Sequence, residues 1–159
     1  MKKIILFLSL IIISSEYCLG QIRFNKKINI NKYIKKTTKS LKKEGWVVYK
    51  GYNSIESILY SSYIIENEVD SSNYLKYIVE LGVETSFSEI LSVQAARANA
   101  LRNIACTISA EVTTTTQGSS EITNCYEGAI DYKEIGVLVR SINEGKIEAR
   151  VLLYAENPN

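Results

Sequence analysis

Residues 77–112 read YIVELGVETSFSEILSVQAARANALRNIACTISAEV, and a change of period inside this stretch decides the fold. From Tyr77 to Glu84 the residues alternate, with Tyr77, Val79, Leu81 and Val83 on one side and Ile78, Glu80, Gly82 and Glu84 on the other. A period of two puts successive side chains on opposite faces, so the spacing predicts a strand with one buried face and with Glu80 and Glu84 on a solvated one. Ser86-Phe87-Ser88-Glu89 then has the Ser-x-x-Glu pattern of a capping box, opening a helix from Ser88 to about Glu111. Its expected seam is Leu91, Ala98, Leu101, Ala105, Ile108 and Val112, flanked by Ala95, Ala96 and Ala100. Alanine in this quantity lets a helix lie close against a sheet or another helix, and such core packing explains the pattern better than a small-residue association motif.

Downstream, Ile135–Ile142 and Lys146–Tyr154 flank Asn143-Glu144-Gly145, a compact turn with Gly145 where positive φ is expected. In the final strand Ile147, Ala149, Val151 and Leu153 are expected to face inward, against Lys146, Glu148, Arg150 and Leu152. Strands at 76–85, 134–142 and 146–154 make an antiparallel sheet of about three strands. Upstream, Asn53-Ser54-Ile55-Glu56 starts a helix to about Glu66, with Ile55, Ile58, Leu59, Ser62 and Tyr63 on one face. Gly45-Trp46-Val47-Val48-Tyr49 suits a short strand or extended link, with Trp46 as a packing anchor. From Asn31 to Glu44, Tyr33, Ile34 and Leu41 recur at helical spacing in a basic amphipathic helix that ends at Gly45. Thr113–Thr116 is ambiguous between helix, strand and loop, and 119–130 is read as a short helix. The fold class is α+β: a small antiparallel sheet packed by one long alanine-rich helix, with additional N-terminal helices.

The chain opens Met1-Lys2-Lys3, continues with an apolar run from Ile4 to Ile13, and reaches Cys18-Leu19-Gly20 through polar residues. This is the pattern of a secretory signal peptide with cleavage after Gly20. Its core of about ten residues is too short to span a bilayer, so no transmembrane span is expected in the mature chain. The expected organisation is a signal peptide at 1–20, a basic leader and helix at 21–44, and a single domain at 45–159. Export implies a periplasmic, outer-membrane-associated or secreted location.

Mature charge is nearly balanced, yet residues 21–50 hold ten basic groups against Glu44 alone, whereas 51–159 hold seven basic and fifteen acidic groups. Residues 26–43 are therefore expected to act as a basic contact arm through Lys32, Lys35, Lys36, Lys39, Lys42 and Lys43, separable from a fold whose main elements lie beyond Gly45. A solvated lysine-rich leader is the plainer reading. The partners this arm would meet are an envelope protein or an anionic lipid or polysaccharide surface. Nucleic acid is disfavoured by export.

With Cys18 removed, Cys106 and Cys125 are the remaining thiols in an oxidising compartment. A disulfide between them would close a loop of about 20 residues, worth roughly 3 kcal/mol in the chain-entropy model; two separate buried thiols are the alternative. The chain has no histidine, which removes the commonest general base and metal ligand and excludes Ser-His-Asp and Cys-His catalysis. No Gly-rich phosphate loop is present. No cofactor, metal or catalytic residue is expected, and the function expected is a non-catalytic accessory or binding domain. The rival is a histidine-free enzyme in which Glu80 and Glu84 act on a glycan.

The order Leu41-Lys42-Lys43-Glu44-Gly45-Trp46, a helix, Tyr74-Leu75-Lys76-Tyr77-Ile78-Val79 with Gly82, then Gln94-Ala95-Ala96-Arg97-Ala98-Asn99-Ala100-Leu101 through Val112 and a late hairpin resembles a family of secreted, uncharacterised envelope proteins of Gram-negative commensals. More distantly it is similar to a small lipoprotein and flagellar-accessory domain. The resemblance spans about residues 40–155. It implies an alanine-rich helix, beginning near an Ala-Arg pair, packed on a short antiparallel sheet. It carries over no catalytic residue, and the chain departs from those relatives in lacking a lipobox.

Overall fold

The computed structural model describes residues 29–52, 54–114 and 130–158, with side chains described to Ile108 in the long helix. The expected signal peptide at 1–20, the leader up to Ile28, Cys125 and all but the last residue of the short helix expected at 119–130 lie outside the described residues. Helices α1 (Ile30–Lys43), α2 (Ile55–Glu66) and α3 (Glu89–Thr114) accompany strands β1 (Val47–Val48), β2 (Tyr77–Ser86), β3 (Tyr132–Ser141) and β4 (Ile147–Glu156). The α+β class holds, with a four-stranded sheet in the order β1-β3-β4-β2, every neighbouring pair antiparallel. The fourth strand is β1, the Val47-Val48 pair that the sequence left open between strand and link.

The β3–β4 hairpin closes through Asn143–Gly145, where Glu144 and Gly145 take φ of 64° and 71°. The ladder register shifts between Glu134 and Gly136, leaving Ile135 without a β4 partner. Such a bulge turns two successive residues toward one face.

The sheet is covered on both faces. On one, Val93, Ala96, Ala100, Ile104 and Ile108 of α3 pack against Ile78, Val137, Val139, Ala149, Val151 and Leu153. On the other, Leu41 of α1, Trp46 and Ile55 and Ile58 of α2 pack around Leu138, with Ile135 and Leu152 at the margin. The inward set expected for β4 is found, since Ala149, Val151 and Leu153 are buried and Ile147 packs at the border.

Two expectations are corrected. The face of β2 under α3 is the one with Ile78, Glu80, Gly82 and Glu84, whereas Val83 on the opposite face is exposed. Gly82 is the reason: a Cβ there would lie 1.8 Å from the Ala96 carbonyl oxygen and 2.5 Å from the Ala100 nitrogen, so the helix backbone rests on the glycine. Apolar alternation could not reveal this, because the contact is made by the absence of a side chain. The seam of α3 is rotated accordingly. It runs through Val93, Ala96, Ala100, Ile104 and Ile108; Ala105 and Ile108 of the expected seam are buried, whereas Leu91 is 56% exposed and Ala98 is exposed.

On the opposite face Gly136 does the same for α2, since a Cβ would strike the Ile58 side chain at 2.4 Å. α1 belongs to this second core rather than standing apart: Leu41 is 3% exposed, and its carbonyl accepts a hydrogen bond from the Trp46 N–H at 3.0 Å. Burying a leucine of this kind contributes about 2 kcal/mol, so α1 is packed on the domain through this face.

Candidate functional site

The six lysines singled out by the sequence fall on the outer side of α1. Asn29 caps the helix by accepting from the Lys32 N–H at 3.1 Å, and Ile34, Thr38 and Leu41 form the buried face. At 3.6 residues per turn Lys32, Lys35, Lys36, Lys39, Lys42 and Lys43 span an arc of about 120° opposite that face. All six are exposed, and none forms an ion pair among the described residues. Lys42 and Lys43 also sit in the last turn, where positive charge complements the helix dipole.

Trp46 is 1% exposed and its ring is taken by two guanidinium groups. The Arg150 Cζ lies 4.1 Å and the Arg140 Cζ 4.6 Å from the ring centre, distances at which cation–π attraction operates. Glu148 faces Arg140 across the β3–β4 ladder and receives it at 2.6 and 2.7 Å, while Arg150 approaches the other carboxylate oxygen at 3.6 Å. Arg150, expected on the outward face of β4, is buried beneath Trp46, and burial pulls its pKa down against the stabilising pull of Glu148. Trp46 is thus a packing anchor, as its β-prone surroundings indicated, and its ring is closed to ligand stacking.

Beside β1 lies an open groove of about 470 Å³. Thr38 and Lys42 of α1 form one wall, Ser54, Ile55 and Glu56 at the start of α2 form the other, and Gly45, Trp46, Val47 and Val48 form the floor. Ser54 caps α2, accepting from the Ser57 N–H at 3.0 Å. Thr38 is 4% exposed, and its hydroxyl and the Trp46 Nε1 are buried without a hydrogen-bond partner among the described residues. Sequence reasoning did not find this groove. Its only trace was the pair of adjacent threonines, Thr37 and Thr38, in a lysine-rich helix.

The two edges of the sheet differ. At β2, Asn103 donates to the Leu81 carbonyl and Asn99 to the Val83 carbonyl, each at 3.1 Å, and Glu84 accepts from the Thr85 N–H at 3.0 Å. Side chains from α3 and from the strand itself thereby occupy backbone groups that an added strand would use. Glu80 and Glu84 are spent in the same layer, Glu80 accepting from Thr107 at 2.8 Å and Glu84 from Asn99 at 3.1 Å. Burial pushes the Glu80 carboxyl above its ordinary value. At β1 the register pairs Val47 with Val139, and the Tyr49 N–H donates to the Val137 carbonyl at 3.0 Å. In an antiparallel ladder this alternation turns the N–H and C=O of Val48 away from β3. Neither group is hydrogen-bonded among the described residues.

A third cluster joins α3 to β3: Arg97 reaches Glu134 at 2.8 and 3.3 Å, and the Tyr52 hydroxyl donates to the same carboxylate. Cys106 lies half-buried on α3, and its expected partner Cys125 is outside the described residues. Among the described residues no group of three His, Cys, Asp or Glu side chains is placed to hold a metal, and no helix is long and apolar enough to cross a membrane. The chain matches no protein-family model, no curated protein and no solved structure, so the family resemblance rests on the residues quoted for it.

Proposed function

We propose that this is an exported, non-catalytic binding domain that meets an anionic surface through α1. One observation carries the reading: six exposed lysines without ion-pair partners among the described residues share one side of a helix whose other side is fixed in the core. A charged face held on a rigid element acts as a unit, because lysines one turn apart lie within the Debye length of about 8 Å at physiological ionic strength. The docking of α1 supports a fixed contact face in place of a flexible arm. The rival reading, glycan chemistry by Glu80 and Glu84, has less support, since hydrogen bonds from α3 hold both carboxylates.

The test is co-flotation of the full chain with vesicles containing phosphatidylglycerol, beside a parallel titration with alginate, which separates a lipid from a polysaccharide source of the negative charge. Binding should fall steeply between about 50 and about 300 mM salt. The variant Lys32→Glu/Lys36→Glu/Lys39→Glu/Lys43→Glu should fold and lose it. Binding that ignores both salt and the substitutions would end the proposal.

A further inference from the structure

The groove beside β1 carries more than the lysine face requires. Its lining includes Val48, whose N–H and C=O are left unpaired on an edge strand, a backbone donor and acceptor side by side. Its lining residues Thr38 and Trp46 each bring a buried polar atom that the protein leaves without a partner among the described residues. Leaving such a group unpaired is costly, and the cost is tolerable where a bound state supplies the missing partner. The apolar surface of Val47, 56% exposed, adjoins this polar line. Lys42 on one wall adjoins the rest of the basic side of α1, while Glu56 is the one acid on the other wall.

From this we infer that the β1 edge is a docking site for an extended, acidic peptide segment of another protein, which pairs with Val48 as a fifth strand. The inference goes beyond the surface contact of α1, since it needs main-chain pairing and a defined register. Backbone pairing supplies affinity without reading sequence, apolar side chains settle beside Val47, and acidic ones turn to Lys42 and its neighbours. Charge complementarity selects an acidic strand over a basic one. The capped edge at β2 explains why addition would occur at one side of the sheet alone.

The experiment follows amide resonances of the isotope-labelled full chain during titration with acetyl-(Glu-Val)4, with acetyl-(Lys-Val)4 as the charge-reversed control. The acidic peptide should shift and protect the Val48 amide and its neighbours, and the basic one should not. Val48→Pro removes the outward N–H at an edge position where proline is compatible with the ladder. It should weaken binding about tenfold, the equivalent of one or two net backbone hydrogen bonds. Should that variant not fold, a peptide N-methylated at alternate residues replaces it against the unaltered chain, with the same loss expected. Full affinity with Val48→Pro or with the N-methylated peptide would overturn the inference. So would shifts confined to the α1 lysines, which would make the peptide a counterion, and so would protection of Val48 before any peptide is added, which would mean that the chain covers its own edge. Loss of vesicle binding with retained Val48 shifts would remove the surface reading and leave this one standing.

Discussion

The two edges of the sheet are finished in opposite ways. At β2, ten residues of strand lie under α3, and Asn99, Asn103 and Glu84 occupy outward backbone groups of Leu81, Val83 and Thr85. At β1, two residues of strand border a groove, with Val48 unpaired and polar atoms of Thr38 and Trp46 buried without partners among the described residues. A long regular edge invites unwanted pairing, and a helix bearing asparagines one turn apart blocks it at little cost. A short edge can be left open, because it offers too little backbone for promiscuous association and enough for a partner that also satisfies the groove. Protection of this sheet thus follows the length of the exposed edge.

The largest effect should come from the contact that seats α3 on β2. Gly82→Val puts a branched side chain where a Cβ alone would overlap the Ala96 carbonyl and the Ala100 amide, both backbone atoms that cannot step aside. The helix must lift along its length, at an expected cost of about 3 kcal/mol or more, so a urea melt should show the domain largely unfolded. A wild-type midpoint would mean that α3 does not rest on β2, and the account of that edge would fall with it. Next comes the β1 side. Leu41→Ala opens a cavity beside Trp46, Ile55 and Ile58, and should cost about 2–4 kcal/mol in the same measurement. Removal of everything up to Glu44 should be worse than this single change, and a truncated chain with native stability would restore α1 as a separable arm.

Legibility in the sequence followed the kind of contact. The β2 alternation, the Ser88 start of α3, the hairpin at Gly145 and the α2 cap at Ser54 are set by local chemistry, and each was readable. The side on which α3 lies was not, because Gly82 and Ala96 act through backbone approach and leave no apolar signature. Arg150 was misplaced for a related reason. A guanidinium is buried on β4 only because Trp46, far earlier in the chain, supplies its ring and Glu148 supplies its counter-charge. The lysine face was legible as a periodic stripe, whereas the groove at its end depends on how α1, β1 and α2 converge.

A smaller effect isolates the protection of the β2 edge itself. Asn99→Ala/Asn103→Ala removes two hydrogen bonds to outward carbonyls that water can replace, so stability should drop by only about 1 kcal/mol. Self-association is the sharper readout. Sedimentation velocity should show concentration-dependent dimers for the double variant and none for Asn99→Asp/Asn103→Asp, which leaves the carbonyls uncapped but adds repelling charge. A strictly monomeric Asn99→Ala/Asn103→Ala protein would show that the asparagines stabilise the fold without guarding the edge.

The smallest effect is electrostatic, and it also distinguishes the β2 side. Glu80 is drawn under α3 with one hydrogen bond, from Thr107, and burial raises its pKa above the ordinary carboxylate value. A group whose folded pKa exceeds its unfolded one binds protons more tightly in the native state. Its contribution is fully present below the unfolded value and is lost as pH rises through the raised folded value. Glu80 should therefore make the domain more stable in mild acid than at neutrality, opposite to the usual behaviour of an ion-paired carboxylate. Glu80→Gln keeps an oxygen to accept from Thr107 and removes the desolvated charge. It should stabilise the protein at neutral pH by less than about 1 kcal/mol, and this advantage should vanish near pH 4. Urea melts of the two proteins at a series of pH values give the difference directly. A gap that stays constant across the series would show that Glu80 is as well solvated in the folded chain as in the unfolded one, and that the layer between α3 and β2 is open to water where the geometry closes it.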